Sequence, residues 1–295
     1  MKKAVLIVGC GDVARRMIPW LVRRFRVFAL IRREQDRAQL RAMGVCPLIG
    51  DLDDRRSLRR LAGLADYVIH AAPPAANGLF DLRTRHLIAA LRCGKSLPQA
   101  MTYIGTTGVY GDHSGRWLDE SQPVAPTTPR AVRRVDAERV LRGLARECGV
   151  RVAILRAPGI YAADRLPTER LRRADPVLVP DEDVFTNHIH AEDLARLTCL
   201  ALFRGRAGRC YNAVDSSALP MGAYFDLVAD TLGMPRPPRV SRVEIASRLS
   251  PMALSFLGES RRIRNRRIHD ELRHRLIFPT IADGLRAIAT DPHLP

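Results

Sequence analysis

The chain has 295 residues, 46% of them hydrophobic, which is enough for one large domain or two coupled ones. The formal net charge of +17 comes almost entirely from scattered arginines without interleaved aromatic residues, a pattern that argues against nucleic acid and for an anionic small ligand. No apolar run approaches the ~20 residues that span a bilayer, and six cysteines without C-x-x-C pairing predict free thiols in the cytoplasm and no metal site.

Along the first half of the chain, short apolar runs alternate with longer segments of helical spacing. The runs predicted as strands are 4–9, 26–31, 46–50, 67–72, 101–107 and 151–157. The segments predicted as helices are 12–25, 33–44, 55–64, 80–94 and 129–149. Continuous apolar strands separated by helices predict a parallel sheet covered on both faces, a doubly wound α/β fold of Rossmann type. Three of the helices end in a glycine where a left-handed residue is expected: Gly44, Gly94 and Gly149.

The alternation weakens after residue 157, where prolines and arginines become more frequent. We therefore predict a dinucleotide-binding domain over 1–157, to which 187–214 return with a strand at 209–214. Residues 158–186 and 215–295 then form a small C-terminal substrate-side region.

The first strand and the first helix are joined by the turn Gly9-x-Gly11-x-x-Ala14. Gly9 permits a tight turn, Gly11 lets the backbone approach a pyrophosphate, and Ala14 allows close packing of helix on strand. The helix start at Asp12 and Val13 supplies N–H donors and a partial positive charge. This context predicts a nucleotide site, with a purely structural turn as the alternative.

The end of the second strand indicates which nucleotide is bound. It carries Arg32 and Arg33 where an NAD site usually has an acidic residue for the ribose hydroxyls. A guanidinium pairs with a 2′-phosphate instead, so we expect NADP(H) in preference to NAD(H), the alternative being a solvated strand end. After the third strand, Asp51 could hydrogen-bond the adenine amino group or cap the next helix.

Four later segments resemble, in their order, the extended short-chain dehydrogenases/reductases of the NAD(P)-dependent epimerase/dehydratase type. They are VIHAAPP (68–74), YIGTTGVYGD (103–112), ILRAPGIYA (154–162) and NHIHAEDLARL (187–197). The resemblance implies the doubly wound fold and further cofactor-binding positions at Leu52, Ala71, Ala72 and Pro73. It also suggests a homodimer through the helices near 82–94 and 130–147.

In that family a Ser or Thr at the fifth strand orients the substrate, and a Tyr-x-x-x-Lys pair on the next helix moves the proton. Thr106 matches the Ser/Thr position, with Thr107 beside it. Arg130 and Arg134 stand where the tyrosine and lysine belong. An arginine cannot serve as a general acid because it keeps its proton in proteins. The chain thus resembles an atypical branch that lacks the catalytic tyrosine.

Several groups could replace the missing acid, and Thr106, Tyr110 and Arg134 are the predicted catalytic residues. Tyr110 or Tyr161 could donate the proton, or each could be a packing residue. The proton could also come from water or the substrate. Arg130 and Arg134 could bind an anionic substrate or polarise its carbonyl, or they could simply be solvated. Thr107, Arg130 and Tyr161 are the predicted substrate contacts.

Other polar residues invite competing interpretations. His188 and His190, with Asp193 and His70, could suggest a metal site, but the family resemblance implies a structural link and we predict no metal. Asp119 and Glu120 are expected to be solvated. The arginine-rich segment 260–267 is interpreted either as an anion grip or as a solvated helix face.

These patterns predict an NADP(H)-dependent oxidoreductase or epimerase acting on a small polar, possibly anionic or sugar-like substrate. The alternative is a non-catalytic NAD(P)-binding sensor or scaffold protein that has lost the Tyr-Lys pair.

Overall fold

The computed structural model describes residues 2–290. The strands of its central sheet are β1 Ala4–Val8, β2 Arg26–Ile31, β3 Val45–Ile49, β4 Tyr67–His70, β5 Ala100–Thr106, β6 Arg151–Ala157 and β7 Arg209–Asn212. They pair in the order β7-β6-β5-β4-β1-β2-β3, and every pairing is parallel. The doubly wound α/β fold is confirmed, including the late strand that returns to the sheet.

The helices of the first half are α1 Asp12–Arg24, α2 Arg37–Ala42, α3 Leu82–Arg92 and α4 Pro129–Cys148. Those of the second half are α5 Thr168–Arg172, α6 Ala191–Arg204, α7 Met221–Thr231, α8 Arg242–Ile245, α9 Pro251–Leu257, α10 Arg266–Asp270 and α11 Ile281–Ala289. Within the described residues, no helix is both long enough and apolar enough to cross a membrane.

The two faces of the sheet bury separate hydrophobic cores. Alternate residues of β1 point to opposite faces, so that Val5 and Ile7 pack under α1 and α6 while Leu6 and Val8 pack under α3 and α4. In the sheet, β1 has β2 as its neighbour on one side and β4 on the other, so the direction of strand addition reverses at β1. Parallel sheets of this kind form a ligand crevice at such a reversal, beyond the carboxyl ends of the strands.

Two of the predicted helices are shorter or of another type. Segment 33–44 forms a 3₁₀ turn at Glu34–Asp36 followed by the short α2. Segment 55–64 is a 3₁₀ helix over Arg55–Leu61.

The three helix-ending glycines differ in conformation. Gly44 (φ +80°) and Gly149 (φ +69°) are left-handed, as predicted. Gly94 is not among the positive-φ residues, so its prediction was wrong. A Cβ at Gly94 would lie 2.3 Å from the backbone nitrogen of Gly63, so the glycine allows two loops to touch.

Short strand pairs and a small apolar cluster around α7 and α11 lie outside the central sheet. Parallel pairs join Trp117–Leu118 to Arg262–Ile263, Gly159–Tyr161 to His188–His190, and Val177–Leu178 to Arg239–Val240, and an antiparallel pair joins Phe185–Thr186 to Leu219–Pro220. This layer is tied to α6 by Asp193, whose carboxylate accepts the backbone N–H groups of Ile277 and Phe278 at 2.7 and 2.9 Å.

The edge strand β3 contains a proline, Pro47. The Gly50 N–H donates to the Ile31 carbonyl oxygen at 3.0 Å. Because N–H directions alternate along a strand, position 47 faces away from β2, and its ring nitrogen lies on the free edge.

Candidate functional site

The turn after β1 leaves backbone donors open. Gly9 adopts φ +89°, and a Cβ there would lie 2.4 Å from the Ala72 nitrogen, so only glycine fits. A Cβ at Gly11 would meet nothing within 4 Å, which leaves open space for a ligand. The α1 N-terminus has no side-chain cap, whereas Asp81 and Thr128 cap α3 and α4. The first N–H groups of α1 are therefore available to an anion.

A cleft of about 550 Å³ opens at this turn. It is lined by every residue predicted to hold the cofactor: Gly9, Gly11, Asp12, Val13, Arg32, Arg33, Asp51, Leu52, Ala71, Ala72 and Pro73. Thr106 and Arg134, two of the predicted catalytic residues, line the same cleft. Together with Ala157 and Pro158 at the end of β6, the lining residues come from the carboxyl ends of six strands.

The two arginines after β2 differ in their partners. Arg33 forms an ion pair with Asp36, with Nε 3.0 Å from Oδ2, and Arg15 reaches the same carboxylate at 3.3 Å. Arg32 is exposed and makes no ion pair among residues 2–290. Its guanidinium is therefore the freer of the two to meet an anion.

Asp12 is held by two arginines beside the glycine turn. Burial would raise the pKa of Asp12, but hydrogen bonds from Arg16 and Arg165 outweigh it and lower that pKa. The ion pair with Arg165 (3.1 Å) links α1 to the segment that follows β6, across the cleft.

Asp51 does not cap the next helix. Its Oδ1 accepts the Asp53 N–H at 3.0 Å, and the cap is Asp54. Arg83, which no sequence motif indicates, also lines the cleft. It pairs with Asp53 at 2.6 Å and donates to the Pro73 carbonyl oxygen at 3.2 Å. No local pattern signals this contact, because its partners are far apart in the chain.

Thr106 lies where the cleft meets two smaller cavities. It lines the cleft and two adjoining cavities of about 270 Å³ each. Its Oγ1 accepts the Gly108 N–H at 3.1 Å. Because the oxygen is the acceptor in this bond, the hydroxyl proton is free to be donated to a ligand.

Arg134 is fixed at the cleft by two neutral acceptors. Its Nη1 donates to the Tyr103 hydroxyl and to the Ile104 carbonyl oxygen, each at 2.9 Å. Burial and the positive charge of Arg134 lower the pKa of His70, behind Tyr103, to about 3. Burial raises the pKa of Tyr103 to about 12 despite Arg134. Arg134 therefore presents a fixed positive charge.

Arg130 lies one turn earlier on α4 and points to the C-terminal layer. Its guanidinium stacks on Phe256, 4.1 Å from the ring centroid, and donates to Ser255 Oγ at 3.2 Å. Thr107 lines the cavity between Arg130 and Thr106. The predicted substrate contacts Thr107 and Arg130 therefore lie together.

Tyr110 and Tyr161 do not line the cleft or the cavities at Thr106. Tyr110 is fully buried and donates to Asn212 Oδ1 at 2.7 Å. Tyr161 is also buried and donates to the Thr280 carbonyl oxygen at 3.3 Å. Burial raises the pKa of Tyr110 to about 12 and raises that of Tyr161 further. Of the two interpretations offered for these tyrosines, the structure places both in the packing role.

The expectation that Glu120 is solvated was wrong. Its side chain is buried and accepts the Asn212 N–H at 2.9 Å, and burial raises the pKa of Glu120. Only the last two residues of segment 260–267, Arg266 and Arg267, lie in a helix, α10. Arg261 precedes the short strand Arg262–Ile263 and Arg262 begins it, and the two side chains donate to loop carbonyl oxygens at 2.8 and 2.6 Å.

The histidine pair is packed among aromatic rings. His188 stacks on Tyr224 and His190 lies against Phe278, each with ring centroids 4.1 Å apart. Burial lowers the pKa of both imidazoles. Across residues 2–290, no group of three His, Cys, Asp or Glu side chains is arranged to hold a metal ion.

A profile of the NAD dependent epimerase/dehydratase family matches residues 5–214. The chain belongs to this family, whose members are NAD(P)-dependent.

Individual relatives support the same fold. A Stigmatella aurantiaca 4-hydroxy-2-methyl-3-oxo-4-farnesyl-3,4-dihydroquinoline-1-oxide ketoreductase is 27% identical over 251 residues, 77% of this chain and 72% of that protein. A conserved Silicibacter pomeroyi protein of unknown function superimposes with TM-score 0.82 at 28% identity, covering 99% of both chains. The Streptomyces venezuelae dTDP-glucose 4,6-dehydratase, solved with NAD, superimposes with TM-score 0.77 at 21% identity, covering 97% of this chain and 95% of that one.

Proposed function

We propose that the protein is an NADP(H)-dependent oxidoreductase or epimerase acting on a small polar, anionic substrate. The observation that carries this proposal is the position of Thr106, a free hydroxyl donor where the glycine-lined cleft meets two smaller cavities. A cofactor in the cleft and a substrate in a cavity would meet at this residue.

The cleft residues fit a dinucleotide. The uncapped start of α1 and the open space at Gly11 would receive the pyrophosphate. Arg32 would pair with the 2′-phosphate, which favours NADP(H) over NAD(H). When bound, the nicotinamide supplies or accepts a hydride at a substrate carbon.

The chain's own residues would position and polarise the substrate. The Thr106 hydroxyl donates to the substrate oxygen, and the fixed charge of Arg134 stabilises negative charge that develops there. In the part of the chain that the structure describes, no tyrosine, histidine or lysine lines the cleft or the two cavities at Thr106. The usual proton donors of such reactions are thus missing there, and we propose that the proton comes from water or from the substrate itself.

The second candidate is a non-catalytic NADP(H) sensor. It is favoured by Arg130, which is predicted from the sequence to stand at the position of the family's tyrosine and which contacts Phe256 and Ser255. A dinucleotide could bind in the cleft and change these contacts without any reaction.

Two measurements separate these candidates. Fluorescence titration of NADPH and NADH into the nucleotide-free protein tests the cofactor, and consumption of NADPH with a panel of carbonyl compounds tests the reaction. We expect preferred NADPH binding and turnover of at least one anionic carbonyl compound. Thr106→Ala should lower kcat/KM by about 10²–10³-fold, the usual effect of losing one preorganised donor. Thr106→Ser should restore activity, and both variants should keep the wild-type Kd for NADPH.

NADPH binding without turnover of any compound would favour the sensor, and binding of neither nucleotide would remove both candidates. Four further points stay predictions. They are the homodimer through α3 and α4, the cytoplasmic location, the absence of a nucleic-acid partner, and the division into 1–157 with 187–214 and a separate substrate-side region.

A further inference from the structure

Three arginines of α4 line one cavity. Arg130, Arg133 and Arg134 have the i, i+3, i+4 spacing that places side chains on one face of a helix. With Thr106 and the loop 73–76, they line a cavity of about 270 Å³. No carboxylate is among the described residues that line it.

These three guanidinium groups have only neutral partners. Arg133 donates to the Gly78 carbonyl oxygen at 2.8 Å, whereas Arg130 and Arg134 contact the hydroxyl and carbonyl oxygens already described. None of the three forms an ion pair within residues 2–290. The carboxylates of their own helix serve other arginines, since Asp136 pairs with Arg85, and Glu138 pairs with Arg156 and Arg142.

Arg133 is the buried member of the three arginines. The residue is 6% exposed, and its Nε has no hydrogen-bond partner among the described residues. A guanidinium stays protonated in proteins, and a buried charge is costly unless it is paired. The acidic residue of the adjoining cavity, Glu259, is already paired with Arg261 at 2.6 Å.

We propose that this arginine cavity binds an oxyanion group of the substrate, a carboxylate or a phosphate. Arginine forks bind both groups through paired hydrogen bonds. Because Thr106 lines the same cavity, the anionic group lies only a few atoms from the carbon that reacts. The substrate class is thus a short oxo or hydroxy acid, or a phosphorylated carbonyl compound. The reaction itself rests on the proposed function, whereas the oxyanion site can be tested without it.

The test is calorimetric titration of the full-length protein with oxalate, with inorganic phosphate and with the neutral amide acetamide, in the absence of nucleotide. We expect saturable binding of at least one oxyanion and none of acetamide. Tighter oxalate binding indicates a carboxylate substrate, and tighter phosphate binding indicates a phosphorylated one. Arg130→Gln and Arg133→Met should each raise the oxyanion Kd about tenfold or more. Arg139→Gln, an exposed position on the same helix, should leave it unchanged.

The proposal is overturned if neither oxyanion binds, or if both subsite variants bind like the wild type. Arg133→Met also removes the contact to Gly78, so Tm is measured for each variant, and Arg130→Gln provides the decision if Arg133→Met does not fold. Oxyanion binding that persists while NADPH fails to bind would overturn the proposed function and leave the oxyanion site standing.

Discussion

The guanidinium of Arg156 and the carboxylate of Glu138 form a buried, two-bonded ion pair, with N–O distances of 2.9 and 2.8 Å. The pair joins the end of β6 to the middle of α4. It thereby fixes the helix that carries Arg130 and Arg134 against the strand end that borders the cleft. An Arg142 guanidinium at 3.0 Å provides Glu138 with a second, half-exposed partner.

Removing the Glu138 charge should destabilise the fold much more than removing its half-exposed partner Arg142. Glu138→Gln leaves Arg156 buried without a counter-charge, which we expect to lower the free energy of unfolding by about 3–5 kcal/mol. Arg142→Gln should lower it by only about 1 kcal/mol or less, because the half-exposed Arg142 is screened by solvent and Glu138 keeps its pair with Arg156. Urea denaturation of both variants measures the difference. Equal losses in the free energy of unfolding would contradict the prediction that the buried pair contributes more.

Alanine substitutions at the two glycines of the cofactor turn should differ in their effect on thermal stability, although both should weaken NADPH binding. Gly9→Ala places a Cβ against the Ala72 backbone at positive φ, so it should lower Tm and abolish NADPH binding. Gly11→Ala meets open space, so it should keep the wild-type Tm while its methyl group weakens NADPH binding. Thermal melts and fluorescence titrations test this, and a large Tm loss in Gly11→Ala would contradict it.

Arg32 should control the choice of nucleotide. Arg32→Ala removes one charge-assisted interaction with a 2′-phosphate, worth about 1.5–3 kcal/mol, so the NADPH Kd should rise about 10–150-fold. The NADH Kd should change little. Arg60→Ala, at another exposed arginine, is the matched control. An unchanged ratio of the two Kd values would show that Arg32 does not contact the 2′-phosphate.

Stability should depend on pH through Asp215. Burial, with Asp193 and Asp283 nearby, raises the pKa of Asp215 from 3.8 to about 8, although hydrogen bonds from Ser217 oppose it. The folded state then holds a proton that the unfolded state has lost. The stabilisation is complete below about pH 4 and is lost as the pH rises towards 8.

Asp215→Asn removes this titration. We expect the Tm of the variant, relative to wild type, to increase steadily between about pH 5 and pH 8, because only the wild type loses its proton advantage. The buried histidines titrate in both proteins, so their contribution to the pH dependence cancels in the Tm difference. Asp181→Asn, at an exposed position, is the control. A Tm difference that does not vary with pH would contradict the prediction.

The cofactor end of the site could be predicted from the sequence because its residues follow the strands directly. Chain order places Gly9, Arg32 and Asp51 at the carboxyl ends of neighbouring parallel strands, where a doubly wound sheet forms its crevice. The conformation of Gly94 could not be predicted in this way. Its glycine is required by a contact with another loop and not by the end of its own helix.

The substrate end depends on contacts between distant segments. Arg133 resembles any arginine on a polar helix until Gly78 is placed against it. Glu120 resembles a solvated loop residue until β7 brings Asn212 to its carboxylate. Hydrophobic periodicity and local motifs carry no information about such pairs, so the sequence alone could not predict what surrounds Arg130 and Arg133.

Pro47 has a consequence for encounters between copies of this chain. An exposed edge strand is a template on which another strand can add, and unbroken rows of outward N–H groups promote aggregation. Position 47 faces outward near the middle of β3, so its proline removes a donor from the part of the edge where a foreign strand would pair. We therefore expect the β3 edge of the sheet to resist edge-to-edge pairing with a strand of another molecule.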